Sequence, residues 1–554
     1  MATYVESNNG KDFEVGSEDF NTRDSDVDLS LSNDDEEDVE PRTAGDWMFI
    51  TDPYHDASPP SFDFAPVYTN VQPVVELESL HSPLECFLAF VPEKLITYLC
   101  DCTSKRTCSY FTGKPAANGK VFGLKWRDVE SKVMYIFFVL VFLMGINKLP
   151  QMSAYRSQHL LMQGPPVFCK EVMSRNRFLS IMKFLQFSNI DNVRTYRPLT
   201  RVKPFHSMLI ETSMDLVDPG QNIAIDEALV LWKGRLHFRQ YIKTKRARFI
   251  IRLFCLCPSD KRLMGYTWDF QIYIGKDKYD VLHYPEASEL CFYERIVVYL
   301  ADHVLNQGCH IVVDNWYLSP RLASFLLKQN THITETIQTN RGVPKEVTEE
   351  KLDKGQACFV RNSDLLLVRW HDKSDVNVLT TKYTACFVEK NCVVTGLKVF
   401  FKKPFHIQKY NELMGAVDAC NQDLEPYDPS RKSLAWFKKL GIYFMSRMML
   451  NSRVLYQLSA GEGKIPFLDY LLQCCDEILS QHRTGYKAMQ QASAAAKSIT
   501  MPVQSSPVHT FVTIPPTQGN QRPQKRCRVC YENENKRKDT RKMCSGCEGN
   551  PGFC

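Results

Sequence analysis

Three acidic residues of this chain stand where a divalent metal ion could be held. In QNIAIDEALVL an apolar run (Ile223, Ala224, Ile225) stops on Asp226 and Glu227, and in CHIVVDNWYLS another (Ile311, Val312, Val313) stops on Asp314. In YNELMGAVDACNQ, Asp418 follows Gly415 and opens a segment that soon turns helical. An apolar strand that ends on an acid delivers the carboxylate to the rim of a buried sheet, where a cation can meet it. Two acids at strand ends and one beside a helix make the layout of a metal-dependent nuclease or strand-transfer site. There two Mg²⁺ ions would activate the attacking oxygen and stabilise the leaving one. Cations follow Asp226 directly: Lys233, Arg235, Arg239, Lys243, Lys245, Arg246, Arg248 and Arg252. They offer a polyanion such as double-stranded DNA a place to bind.

A second chemistry is written in RCRVCYENENKRKDTRKMCSGCEGNPGFC. Cys527 and Cys530 form one CxxC, Cys544 and Cys547 another, and Cys554 follows. Thiolates paired this way complete a tetrahedral Zn²⁺ site. The other fifteen of the twenty cysteines are scattered and read as reduced, buried small hydrophobes.

The elements that must position these groups are legible in outline. The net charge is +5, but residues 1–40 alone carry −12, which leaves +17 on residues 41–554. Residues 1–80 read as an acidic disordered tail and a proline-containing linker, with order beginning near Ser82. The apolar run Val133–Ile146 has 14 residues, short of a membrane span, and reads as a buried core helix. Ser174 is placed to cap a helix carrying Phe178, Ile181 and Phe184. Residues 82–220 read as mainly helical, and residues 221–340 as short strands followed by helices, the pattern of an α/β core. Strands are expected at 248–256 and near 271–274, and a helix at 319–329 with Pro320 in its first turn. Residues 341–404 are β-rich, with Trp370 expected to be buried. Trp436–Tyr456 reads as an apolar helix with Lys438, Lys439, Arg447 and Arg453 at its polar positions. Residues 487–525 read as a flexible linker.

The blocks IAIDEALVLWKGRLHFRQYI, VVDNWYLS and YNELMGAVD resemble the three catalytic blocks of the piggyBac transposases and of the host proteins derived from them. The resemblance extends through FLMGINKLPQMSAYR, MSRNRFLSIMKFLQF and RKSLAWFKKL, and covers roughly residues 82–554. It implies an RNase H-like catalytic core at 221–340 and 405–427, with Asp226, Asp314 and Asp418 as Mg²⁺ ligands. It further implies a helical dimerisation and DNA-binding domain (82–220 and 428–486), an insertion domain (341–404) and a cysteine-rich zinc domain (526–554). A nuclear homodimer that cleaves DNA at element ends and inserts at TTAA would follow.

Three departures from the family pattern bear on activity. Ala416 stands where the family usually has glycine, which would strain a turn of positive φ. Asn421 stands where a further Asp is usual, weakening any metal role there. Later cysteine and histidine ligands are missing after Cys554, so the zinc domain reads as truncated. Two readings stay open: a domesticated DNA-binding protein that keeps the fold, and an active cut-and-paste transposase. A metal phosphatase on small substrates fits the acids but not the +17 body or the cysteine segment.

Overall fold

The computed structural model describes residues 47–53, 56–66, 80–112, 126–157, 166–189, 198–243, 248–276, 281, 283–317, 319–394, 397–430, 435–460, 465–483, 511–534, 537–545 and 551–553, with backbone alone at 391–394 and 397–401. The acidic tail lies outside them. Contacts divide the chain into two compact units, residues 1–483 and 484–554.

The first unit opens with helices. α1 (Pro83–Phe90) begins with a reciprocal cap, in which Ser82 and Glu85 satisfy each other's backbone N–H. α2 (Glu93–Thr112) and α3 (Ser131–Ile146) follow. Every residue of α3 from Met134 to Gly145 is buried, as its unbroken apolar sequence requires. No helix among the described residues is long and apolar enough to cross a membrane. α4 (Arg175–Phe184) starts at the Ser174 side chain, which accepts the Arg177 N–H, and α5 (Lys203–Leu216) leads into the sheet.

That sheet has ten strands: β1 (Met48–Phe49), β2 (Asn222–Leu231), β3 (Gln240–Tyr241), β4 (Phe249–Pro258), β5 (Asp269–Ile272), β6 (His310–Val313), β7 (His332–Thr336), β8 (Ala357–Asn362), β9 (Leu365–His371) and β10 (Asp375–Thr380). The order is β1-β8-β9-β10-β7-β6-β2-β4-β3, with β5 also on β4. β2, β4 and β5 form an antiparallel meander, and β6 and β7 run parallel to β2. Between β5 and β6 the chain forms α6 (Phe292–Ala301), and between β6 and β7 it forms α7 (Pro320–Lys328). Ser319 caps α7 by accepting the Leu322 N–H.

The β-rich insertion is joined to this core and not set apart from it. After α8 (Lys345–Glu349), strands β8 to β10 continue the same sheet, because β10 pairs with β7 at Val378–Thr336 through Thr380–Thr334. Trp370 is buried, as expected. A hairpin of β11 (Phe387–Val394) and β12 (Leu397–Pro404) lies outside the sheet. It leads into α9 (Phe405–Leu413), α10 (Ala416–Leu424), α11 (Trp436–Ala460) and α12 (Phe467–His482). α11 and α12 return to pack on α1, and α12 also packs on α3. Tyr470 on α12 donates to the Pro83 carbonyl at 3.0 Å. Arg447 and Arg453, expected on the polar face of α11, are buried. α11 is enclosed by α1, α5, α10 and α12 and has no wholly solvated side to give them.

Order begins well before Ser82. β1 pairs with β8, Ala65 N–H donates to the Gln307 carbonyl at 3.0 Å, and Phe62 lies 4.7 Å from the His332 ring. The prolines that suggested a linker suit an extended strap laid along the surface, since proline resists helix and leaves the chain straight. One buried ion pair fastens it. Arg361 donates to both carboxylate oxygens of Asp56, at 2.6 and 2.5 Å, and the Ala385 N–H donates to the same group at 2.7 Å. Asp56→Ala, which strands the Arg361 guanidinium, is expected to lower the unfolding free energy by about 3 kcal/mol, measured by urea denaturation.

Burial also makes the fold acid-sensitive. Desolvation pushes the His206 imidazole down to about 4 and that of His406 to about 3. Both folded values lie below the unfolded value, so their contribution is complete above roughly pH 6.5 and is lost as pH falls towards the folded values. At pH 5 each is expected to lower stability by about 2 kcal/mol. Melting curves between pH 7 and 5 test this, and His206→Gln should flatten the slope.

The second unit holds two small sheets. β13 (Phe511–Thr513), β16 (Lys542–Cys544) and β17 (Gly552–Phe553) form one, and β14 (Lys525–Arg526) and β15 (Asp539–Thr540) the other. α13 (Arg528–Glu534) follows β14. β13 falls inside the stretch expected to be linker. Its residues, Phe511, Val512 and Thr513, are strong strand formers, and they pair with Cys544, Met543 and Lys542.

Candidate active site

The parallel pairing of β2 with β6 runs from Asn222–His310 to Ile225–Val313. One residue further, the chains present Asp226 and Asp314 side by side. Asp226 is not at a strand end as expected. β2 continues to Leu231, because Ala228 and Val230 remain buried against β4. The strand that ends is β6, and its departure opens the space next to Asp226. Each carboxylate is fixed by its own chain: the Glu227 N–H donates to Asp226 Oδ1 and the Asn315 N–H to Asp314 Oδ1, both at 2.7 Å. Burial, then the charges of Glu227 and Asp314, hold the Asp226 carboxyl well above the usual range. Tyr410 on α9 belongs to the same neighbourhood, since burial and then the Asp314 charge push its phenol up, with Glu335 and Asp226 contributing.

Glu227, whose charge bears on Asp226, has partners of its own. Its Oε1 accepts the Tyr317 hydroxyl at 2.9 Å and lies 3.9 Å from Arg252 Nη1. Arg252, grouped by sequence with the surface cations, is buried, and its guanidinium sits 4.9 Å from the Trp316 ring. It occupies the centre of β4, where the sheet is covered.

Asp418 lies in the first turn of α10, which packs on β2 and β4. One turn on, Asn421 makes two bonds that a carboxylate could not make together. Its Nδ2 donates to the Glu227 carbonyl at 3.2 Å, and its Oδ1 accepts from Arg447 Nη2 at 3.0 Å. Ala416 is buried as the first residue of α10 and is absent from the described residues with positive φ, so the strain expected there does not arise. Among the described residues no three His, Cys, Asp or Glu side chains gather into a metal cage. The fold brings Asp226 and Asp314 together and places Asp418 on the helix docked beside them.

The surface cations form a hairpin at the end of β2 and β4. The Ile242 N–H donates to the Arg248 carbonyl at 2.8 Å, closing it, while Lys233, Arg235, Lys243 and Arg248 are exposed. Arg239 is tied down by donating to the carbonyls of Lys233 and Gly234. Lys245 and Arg246 lie outside the described residues. Sequence reasoning missed a second basic place, a cavity of about 410 Å³ whose lining includes Arg106, Lys183, Arg201 and Lys438 with Tyr110 and Phe437. Its residues come from α2, α4, the turn before α5 and α11, too far apart in sequence for any local pattern.

In the second unit Cys527 and Cys544 are buried and Cys530 is half-buried, while Cys547 and Cys554 lie outside the described residues. The Cys527 N–H donates to the Lys538 carbonyl, and Cys527 bridges to Gly552.

Comparison with known proteins agrees with this architecture. The profile of the family described as transposase IS4 matches residues 82–453. The human PiggyBac transposable element-derived protein 3 is 22% identical over 414 residues, 73% of this chain and 66% of that protein. The human PiggyBac transposable element-derived protein 2 is 19% identical over 312 residues, 54% of this chain and 51% of that protein. The chain thus spans between half and two thirds of the length of these curated relatives. A piggyBac transposase, solved by cryo-EM as a synaptic complex with hairpin DNA, has a similar fold, with a TM-score of 0.61 and 22% identity over 77% of this chain and 84% of that one. A family profile over most of the chain, with relatives and a fold to match, means that the chain belongs to the piggyBac-type transposase IS4 family.

Proposed function

We propose that this is a transposase-derived DNA-binding protein whose RNase H-like core retains Mg²⁺-dependent strand cleavage and transfer at TTAA sites. The observation that carries it is the pair Asp226 and Asp314, juxtaposed on neighbouring parallel strands where one strand departs. The RNase H-like description is supported by the order of the core strands: an antiparallel meander of β2, β4 and β5, with β6 on the free side of β2 and β7 beyond it, both parallel to β2 and reached through helices. The donor set fits Mg²⁺, being hard carboxylate oxygens whose mutual repulsion a cation would relieve. Asp226 and Asp314, with Asp418 from α10, would hold the metal, which supplies Lewis acidity for phosphoryl transfer. The remaining work belongs to the chain. The Glu227 and Asn315 N–H groups orient the two carboxylates, Asn421 holds α10 on β2, and Lys233, Arg235, Lys243, Lys245, Arg246 and Arg248, with Arg239 at their base, would grip phosphates without reading sequence.

Zn²⁺ is proposed for the second unit, held by Cys527, Cys530 and Cys544 with Cys547 and Cys554. Burial of Cys527 and Cys544 beside short strands suits a soft metal that nucleates a small fold. Homodimerisation and a nuclear location are proposed on the family resemblance.

A second reading, a fully active cut-and-paste transposase, is favoured by Ala416 and Asn421, since the structure accommodates both. The test is strand cleavage by purified protein on duplexes with family-type ends flanked by TTAA, alongside an excision reporter in cells. Mg²⁺-dependent cleavage without excision supports the derived protein, and excision the active transposase. Failure to cleave with duplex binding retained would reduce the reading to DNA binding alone.

A further inference from the structure

We propose that the cavity between α2, α4 and α11 binds one unpaired nucleotide of a DNA strand, at a site separate from the carboxylates. This rests on the DNA-binding reading above. The first observation is charge: Arg106, Lys183, Arg201 and Lys438 line one concavity, no acid lines it, and none of the four pairs with a carboxylate among the described residues. Such a cluster is unfavourable unless an anion joins it. Its strain registers on Lys438, whose amine burial and then the Arg106 charge push down to about 8. Lys438 is committed to the protein, donating to the Met182 and Lys183 carbonyls at 2.8 and 2.6 Å. That leaves Arg106, Lys183 and Arg201, all solvent-accessible, to meet a phosphate.

The second observation is the arrangement of rings. Lys183 Nζ lies 4.8 Å from the Tyr110 ring centre and the Arg201 guanidinium 5.1 Å from that of Phe437. A guanidinium laid on a ring is a platform on which a nucleobase stacks. A phosphate alone would need only the cations, and an apolar ligand only the rings. Together they fit a base with its phosphate. A duplex offers no free base face, because each base is already stacked on both sides, so the occupant is an unpaired nucleotide. The volume, about 410 Å³, is in the range of small-ligand sites.

The third observation is continuity. Trp436, in the cavity lining, packs edge-to-face on Phe238 with ring centres 5.3 Å apart, and Phe238 sits at the base of the basic hairpin. The basic hairpin and the cavity are therefore neighbours.

The experiment measures binding of the full chain by fluorescence anisotropy to a blunt duplex, the same duplex with a short single-stranded extension, and one whose extension lacks bases. Wild type should prefer the base-bearing extension to the blunt end by about tenfold, with the abasic extension between them. Lys183→Ala/Arg201→Ala, both away from the carboxylates, should bind the blunt duplex as wild type does and lose the preference. Blunt binding by wild type with no preference for the extension overturns this inference and leaves the DNA-binding reading standing. A preference that survives in the double variant also overturns it, because the nucleotide is then held elsewhere. No binding to any probe overturns both.

Discussion

Asp314→Ala and Asp226→Asn are each expected to lower Mg²⁺-dependent strand cleavage by about a thousandfold or more, while duplex affinity stays within about twofold of wild type. The reason is a division of labour. The carboxylates sit where β6 leaves β2, whereas the cations proposed to grip duplex phosphates lie on the hairpin beyond β2. The same variants should be more stable than wild type when no metal is present. Two like charges held together, one of them largely desolvated, oppose folding. Removing one charge should raise the melting temperature by about 2 °C. In wild type, saturating Mg²⁺ should stabilise by about 3 kcal/mol at a hundredfold excess over its Kd, and the variants should lose that response. A variant that loses cleavage, DNA affinity and stability together would show instead that these acids support the fold.

The second large effect is expected at Arg447. Its guanidinium is fully buried and donates to Thr267 Oγ1 at 2.5 Å, to the Tyr443 hydroxyl at 2.9 Å and to Asn421 Oδ1 at 3.0 Å. Arg447→Ala removes these bonds and opens a cavity in α11, and is expected to lower stability by about 4 kcal/mol. Asn421 passes the restraint on to the Glu227 carbonyl, the residue after Asp226. Asn421→Asp, which restores the residue the family usually carries, cannot donate to that carbonyl and sets a carboxylate oxygen against it. It should slow cleavage about tenfold with DNA affinity unchanged, measured as single-turnover rates at saturating DNA. Faster cleavage would mean that position 421 serves the metal directly.

How far the sequence discloses this molecule depends on the range of each signal. α3 and α7 are legible because one apolar run and one Ser-Pro start suffice. The Asp226–Asp314 neighbourhood is legible because each acid ends an apolar run, although which of the two strands stops is decided by the pairing of β2 with β4. Arg252, Arg447 and Arg453 read as surface cations because a single sequence gives no sign of what covers them. Likewise the strap at 47–66 and the α2–α4–α11 cavity depend on partners hundreds of residues away. Asn421 looked like a lost charge and is a two-sided clip, a difference visible only once both of its partners are in place.

The strap has a consequence for synthesis. Asp56 and Arg361 are 305 residues apart, and at ribosomal speeds the second follows the first by roughly 15 to 60 s. Through that interval the chain has made the carboxylate and the β1 strand but not the edge that receives them. The β1 end of the strap thus waits for its β8 edge until β2, β6 and the acids Asp226 and Asp314 have all been made, while Ala65 and Phe62 meet Gln307 and His332 sooner.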